Sequence, residues 1–168
     1  MQENIGKQIV SRIKKCGRGS IFFPSSFTAY GDIKSVSKSL ERLTNDSFII
    51  RLSNGIYLYP KIDKELGLGV LYPSVEDIAL QVAKRDRAHI APTGAYAMNL
   101  LGLSTQVPMN VVFMTDGSPR KIRLGNNRTI TFKHTVPKNL AFTNKTAQLA
   151  TFALKEIGQN NVNEEHLK

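Results

Sequence analysis

The stretch that decides the fold of the first part of the chain is residues 20–60, SIFFPSSFTAYGDIKSVSKSLERLTNDSFIIRLSNGIYLYP. In its middle the apolar residues follow a helical period, which places Val36, Leu40 and Leu43 on one face. Asp32 is a typical N-cap residue, so the pattern predicts an amphipathic helix from residue 33 to about residue 46. The opposite face of this helix is polar and basic.

A β-hairpin is predicted directly after that helix. Residues 48–52 and 56–59 alternate as strands do, and Asn54-Gly55 between them tolerates the positive φ angles that tight hairpin turns require. Pro60 ends the return strand. A short helix, a turn, a second helix and a hairpin, in this order, are typical of a winged helix-turn-helix, which places its second helix in the major groove of DNA.

The remaining segments predict an α+β protein. Further helices are expected at 3–15, 25–30, 75 to about 90, 93–101 and 145–157, and strands at 111–114, 121–124 and 130–134. We therefore expect a winged helix-turn-helix domain in 1–60, a connection in 61–72, a mixed helix and small antiparallel sheet domain in 73–158, and a polar tail in 159–168.

Composition points to a polyanionic partner. The 168 residues include 23 Lys and Arg against 13 Asp and Glu, a net charge of +10, and residues 1–60 are the more densely basic part. No apolar run approaches the ~18 residues of a membrane span, and the first residues lack a signal-peptide pattern. A single cysteine, Cys16, excludes a disulfide framework within the chain. We therefore expect a cytoplasmic protein.

The candidate DNA contacts follow from the docking geometry of helix-turn-helix proteins. The first half of the amphipathic helix reaches base edges, while cations beside it neutralise phosphates. The predicted DNA-binding residues are Lys34, Ser35, Ser37 and Lys38 on the helix, Arg42, Arg51 and Arg18 at phosphates, and Ser53 and Asn54 at the tip of the wing. The predicted partner is double-stranded DNA, bound by a monomer or by a dimer on inverted repeats.

A second basic patch lies in residues 120–138, which contain no carboxylate. Its members are Arg120, Lys121, Arg123, Arg128, Lys133 and Lys138. This hairpin is equally consistent with a solvated sheet face and with a surface for RNA, DNA backbone or an acidic protein. Two alternatives to DNA reading therefore stay open: an RNA-binding or nuclease-related protein that works through this hairpin, and a protein–protein adaptor.

Catalytic and metal-binding patterns are missing from the sequence. His89, His134 and His166 have no second ligand at a convincing metal spacing, and no serine lies in a nucleophile elbow. The phosphate-binding glycine motifs are absent as well. We therefore expect a binding protein without catalytic residues, cofactor or metal.

The helix and wing motifs resemble a known family. An L-x-R-L helix end followed by R-L-S-N-G-I-Y-L-Y-P is similar to the N-terminal winged helix of AbiEi-type antitoxins and related transcriptional regulators. The matching positions are Leu40, Arg42, Leu43, Gly55, Tyr57 and Pro60. Asn54 stands where that family often has arginine. Residues from 73 onward are similar, more loosely, to the regulators' C-terminal domain.

This resemblance implies a function as well as a fold. AbiEi-type proteins are the antitoxins of type IV toxin–antitoxin modules, which act in abortive phage infection. They repress their own operon through the winged helix, and they counteract a nucleotidyltransferase-like toxin, typically without a stable complex. The resemblance thus implies a sequence-specific, autoregulating transcriptional repressor.

Overall fold

The computed structural model describes residues 5–125 and 127–158. The chain divides into two compact units between Ser74 and Val75. Three sequence-based predictions lie outside the described residues: the first two positions of the helix predicted at 3–15, the turn residue Asn126, and the polar tail at 159–168 with His166.

The first unit contains two α-helices and two small sheets. Its elements are α1 (Ile5–Cys16), β1 (Ile21–Phe22), a 3-10 helix (Pro24–Phe27), α2 (Ile33–Asn45), β2 (Ile50–Ser53), β3 (Ile56–Leu58), β4 (Lys61–Asp63) and β5 (Gly69–Leu71). The first sheet has the antiparallel order β1-β3-β2, with Leu58 opposite both Ile21 and Ile50. Helix, short helix, helix and hairpin therefore follow one another in the predicted order.

One apolar core holds this unit together. Ile9 and Ile13 of α1 meet Val36 and Leu40 of α2, and all four side chains are fully buried. Four aromatic side chains from the 3-10 helix and the first sheet complete the cluster: Phe22, Phe27, Tyr57 and Tyr59. The buried stripe predicted for α2 is thereby confirmed, and it fixes which face of α2 points outward.

Two predictions for the first unit need correction. The helix expected at 25–30 is only the 3-10 turn Pro24–Phe27, which suits a proline at its first position. Residues 61–72, expected to be a connection, instead pair as the β4–β5 ribbon, with Ile62 opposite Val70. Gly67 and Gly69 have φ angles of +68°, so these glycines make the turn of the ribbon.

The second unit combines three α-helices with one sheet. Its elements are α3 (Val75–Asp86), β6 (Ile90–Thr93), α4 (Gly94–Leu100), β7 (Asn110–Thr115), β8 (Arg120–Arg123), β9 (Thr129–His134), a 3-10 helix (Pro137–Leu140) and α5 (Lys145–Ile157). The four strands have the order β6-β7-β9-β8. The α+β class predicted from the sequence is therefore confirmed.

Helices pack on both faces of this sheet. Met114 of β7 joins a cluster with Ala97 of α4 and with Phe152 and Ala153 of α5. On the other face, Val82 of α3 lines a small cavity together with residues of β7 and β9. Side chains that alternate along β7 and β9 supply the rest of the core; they are Val111, Phe113, Ile130 and Phe132.

The sheet differs from the predicted antiparallel one in a parallel pairing and in an additional strand. β9 inserts between β7 and β8, so β7 and β9 run parallel, with Phe113 opposite Phe132. Strand β6 was not predicted, because Ala91-Pro92 suggested a break. Pro92 is tolerated there because β6 is an edge strand, where a missing N–H costs little.

Within the described ranges, every helix is too short or too polar to cross a membrane.

Candidate nucleic-acid interface

Helix α2 presents two lysines to solvent. The Asp32 carboxylate caps the helix by accepting a bond from the Ser35 backbone N–H (3.3 Å), and hydrogen bonding from Ser35 lowers the pKa of Asp32 below its ordinary 3.8. Burial of Val36 and Leu40 turns Lys34 and Lys38 to the opposite side, where both are exposed. No hydrogen bond or ion pair to another described residue engages either ammonium group.

The residues on either side of the lysine face of α2 are small and polar. Ser35 and Ser37 are half-buried on either side of the lysine face, and the Ser39 hydroxyl donates to the Ser35 carbonyl (2.9 Å). Ile33 was not singled out from the sequence, yet its side chain is 65% exposed at the first turn. Because Ile33 lies three residues before Val36 and seven before Leu40, helical periodicity places it on the apolar side of α2, and no signal in the sequence indicates that it is exposed.

The tip of the β2–β3 hairpin contains a hydrogen-bonded pair of side chains. The Arg51 guanidinium donates to the Asn54 side-chain oxygen (2.8 Å), and both residues are exposed. Ser53 is half-buried beside them, and Gly55 completes the turn with φ +70°. The structure therefore joins Arg51 and Asn54, two of the residues predicted to contact DNA, and Asn54 orients the guanidinium of Arg51.

Arg18 makes its contacts within the first unit. Its guanidinium donates to the Pro60 carbonyl (3.0 Å) and lies over the Tyr59 ring, 5.0 Å from the centroid. Two backbone bonds reinforce this junction, from Gly19 N–H to Tyr59 (2.7 Å) and from Tyr59 N–H to Ser20 (2.9 Å). Arg18 thus fastens the segment after α1 to the end of the hairpin, apart from the lysine face of α2.

Arg42 lies at the edge of the lysine face, one helical turn after Lys38. It lines an open groove between α1 and α2, together with Lys7 and Lys14 of α1. These two lysines were not among the predicted contacts. Their spacing of seven residues, which places both on one helical face, was the signal that would have found them.

The second basic patch is divided between the two sides of its sheet. Arg120 bonds the Asp86 carboxylate (2.7 Å), which Arg85 also contacts (2.8 Å). Because side chains alternate along a strand, Lys121 and Arg123 lie on the face opposite to Arg120 and Ile122. Thr131 in β9 is directly opposite Lys121, and Lys133 lies two positions further along β9. Side chains two positions apart in a strand point to the same face, so Lys133 shares the face of Lys121 and Arg123.

The other two cations of the patch lie outside the strands. Arg128 is exposed in the turn before β9, and Lys138 is exposed in the second 3-10 helix. The coherent part of the patch is therefore the trio Lys121, Arg123 and Lys133, which we call the β8–β9 cationic face.

His89 and His134, the two histidines in the described part of the chain, both contact the turn that follows β7. His89 donates its backbone N–H to one oxygen of Asp116 (2.7 Å), and its Nδ1 lies 2.7 Å from the other oxygen. The bond from the His89 side chain lowers the pKa of Asp116 below 3.8. His134 Nδ1 lies 3.0 Å from the Gly117 carbonyl.

Among the described residues, no three His, Cys, Asp or Glu side chains approach closely enough to hold a metal ion. The exposed Cys16 at the end of α1 is a free thiol.

Comparison with known proteins gives one relationship. The sequence matches none of the curated proteins. A family model does match, over residues 8–168, and thus covers nearly the whole chain. The chain therefore belongs to DUF6088, a family of unknown function.

Proposed function

We propose that residues 5–60 form a winged helix-turn-helix that binds double-stranded DNA sequence-specifically and represses transcription. The observation that carries this proposal is the pair of exposed lysines on α2, Lys34 and Lys38, neither of which pairs with another described residue. They lie opposite a buried apolar stripe and next to a hairpin whose tip carries Arg51 and Asn54. Positive groups so arranged on a rigid helix suit the phosphates that line a major groove.

The dimensions of α2 agree with this mode of binding. A helix of 13 residues is about 20 Å long, and the major groove, about 12 Å wide, admits one helix. Ser35 and Ser37 supply hydroxyls beside the lysines, and Ile33 supplies an apolar contact suited to a thymine methyl group. In this mode the Arg51–Asn54 pair of the wing faces the adjoining backbone.

The test compares two double variants that change the charge equally. A duplex is selected from a randomised library by the wild-type protein, and its affinity is measured by fluorescence anisotropy at several salt concentrations. Lys34→Ala with Lys38→Ala should weaken binding and reduce the slope of log K against log salt by about 2, one for each lost phosphate contact.

Lys61→Ala with Lys64→Ala, on the exposed β4–β5 ribbon, is the matched control and should leave affinity and slope close to wild type. If the helix variant binds the selected duplex as the control does, α2 is not the DNA-binding element.

The antitoxin role is a further part of the proposal, and it is supported by the resemblance of the helix and wing motifs. We propose a cytoplasmic, autoregulating antitoxin of a type IV module that antagonises a nucleotidyltransferase-like toxin. Co-expression with the adjacent gene of the same operon tests it: this protein should relieve growth arrest caused by that gene product. An adjacent gene that encodes no nucleotidyltransferase-like protein, or arrest that persists, counts against the role.

A second candidate function is supported by the β8–β9 cationic face. Lys121, Arg123 and Lys133 share one side of the sheet, and the sequence of residues 120–138 contains no Asp or Glu. RNA or another polyanion would then bind the second unit. Lys121→Glu with Lys133→Glu should abolish binding of a single-stranded RNA pool that the α2 variant still binds. A partner bound with no salt dependence would instead favour the adaptor.

A further inference from the structure

An open groove lies between α1 and α2 in the first unit. Its volume is about 550 Å³, and both helices contribute polar and apolar side chains to its walls. This size falls in the range typical of pockets for small organic ligands, roughly 300–1,000 Å³.

Positive charge dominates the walls of this groove. Lys7 and Lys14 stand on one face of α1, about 10 Å apart along the helix axis, and Arg42 faces them from α2. Asp46 is the single carboxylate in the lining, which leaves a surplus of two positive charges. Within the described part of the chain, none of the three cationic groups makes an ion pair or a hydrogen bond.

The groove also contains apolar and hydroxyl groups that a small inorganic anion would not contact. Val10 and Leu43 contribute half-buried apolar surface, and Ser11 places a hydroxyl one helical turn from each lysine. An inorganic phosphate would occupy only a small part of such a volume. A ligand with both an anionic group and a flat apolar body would contact the cations and the apolar surface together.

We propose that the α1–α2 groove binds a small phosphorylated organic ligand of nucleotide size. Its phosphate is held by Lys7, Lys14 and Arg42, and its apolar or aromatic body lies on Val10 and Leu43. Because Arg42 lies on the helix that carries Lys34 and Lys38, an occupied groove would alter DNA binding by α2. That regulatory consequence rests on the proposed function, whereas binding of the ligand does not.

The binding test uses the full-length protein without DNA. Isothermal titration with AMP, ADP and ATP is compared with adenosine and with inorganic phosphate. We expect saturable binding of at least one nucleotide, weaker binding of phosphate, and little binding of adenosine. Lys7→Ala with Lys14→Ala should weaken nucleotide binding about tenfold or more, since two charge-assisted contacts are lost.

Lys34→Ala with Lys38→Ala is the matched control, because it removes the same charge from two α2 positions that do not line the groove; it should bind nucleotide within about twofold of wild type. Both pairs are exposed helix positions that accept alanine, so unchanged thermal unfolding midpoints are expected. Arg42→Gln provides an independent loss of binding from the opposite wall. Equal weakening in the two double variants, or no saturable nucleotide binding by the wild type, would overturn the proposal.

The same variants distinguish a free ligand from DNA phosphates. If Lys7→Ala with Lys14→Ala weakens binding of the selected duplex in the absence of nucleotide, the groove is part of the DNA contact and the proposal is wrong. Loss of nucleotide binding with unchanged duplex affinity supports it. Failure of the α2 lysines to bind DNA, with nucleotide still bound in the groove, would refute the proposed function alone.

Discussion

Asp116 shows how one side chain organises the β7–β8 turn of the second unit. Both of its oxygens are engaged by His89, which lies 27 residues earlier in the chain. The imidazole is 82% exposed while the carboxylate is only 16% exposed, so the acid is the fixed partner of the pair. Asp86, three residues before His89 in the chain, instead pairs with Arg120 and Arg85.

This pairing makes a prediction for the pH dependence of stability. The bond from His89 lowers the pKa of Asp116 in the folded chain. A carboxyl with a depressed folded pKa stabilises the fold above its unfolded pKa, and this contribution is lost as the pH falls through the folded value. We therefore expect the unfolding free energy of the second unit, measured in urea, to fall below about pH 4.

The pH effect should be smaller in Asp116→Asn, because the titrating group is gone, and unchanged in Glu65→Gln, an exposed site in the first unit. Parallel pH profiles of the wild type and Asp116→Asn would contradict the assignment.

Gly55 sets the geometry of the turn between β2 and β3. Its φ of +70° is unfavourable for residues with a Cβ, although a Cβ there would meet nothing closer than Pro24, at 4.0 Å. Gly55→Ala should therefore lower the unfolding free energy of the first unit by about 1–2 kcal/mol through the backbone alone. Urea unfolding followed by tyrosine fluorescence of Tyr57 and Tyr59 measures this. Gly55→Asn is the control and should cost less, because asparagine adopts positive φ more readily; an equal cost would argue for a steric cause.

At the scale of elements, local signals were sufficient for α1 and α2, whereas the helix predicted at 25–30 is a single 3-10 turn. The bounds of α1 and α2 follow from apolar periodicity and from the cap at Asp32. The ribbon β4–β5 and the edge strand β6 were missed, because glycine and proline mark both a break in structure and a permitted place within a strand. Whether a glycine or proline breaks the strand or lies within it depends on the strand that pairs with it. That partner strand cannot be read from the neighbouring residues in the sequence.

Arg18 joins two elements, and a substitution distinguishes this structural role from a phosphate contact. Arg18→Ala should lower the unfolding free energy of the first unit by about 1–2 kcal/mol, since a charged hydrogen bond to Pro60 and a cation–π contact with Tyr59 are lost. Thermal and urea unfolding measure the loss. Arg18→Lys, which keeps the charge, should recover only part of it. Unchanged stability together with a smaller salt slope in duplex binding would restore the phosphate role predicted from the sequence.

At the scale of the whole molecule, two cores stabilise two units. Leu40 is fully buried in the core of the first unit, and Phe113 is buried in the sheet of the second. The net charge of +10 is likewise distributed over several surfaces: the lysine face of α2, the α1–α2 groove and the β8–β9 cationic face. Charge alone therefore could not identify a single binding site.

The division into two units predicts separate responses to core substitutions. Leu40→Ala should destabilise the first unit by about 2–5 kcal/mol, and Phe113→Ala should destabilise the second by about 3–5 kcal/mol. Hydrogen–deuterium exchange, read on peptides from each unit, should show faster exchange only in the unit that carries the substitution. Acceleration of both units by either substitution would mean that they unfold as one.

The sequence by itself determined the α+β class, the amphipathic stripe of α2, its cap at Asp32 and the hairpin turn at Asn54-Gly55, because each depends on residues a few positions apart. Only the tertiary structure decided that β9 inserts in parallel between β7 and β8, that Arg120 turns to Asp86, and that Arg42 shares a groove with Lys7 and Lys14. These partners are distant in sequence and are brought together only when the helices and strands pack. Local sequence patterns therefore do not predict that packing.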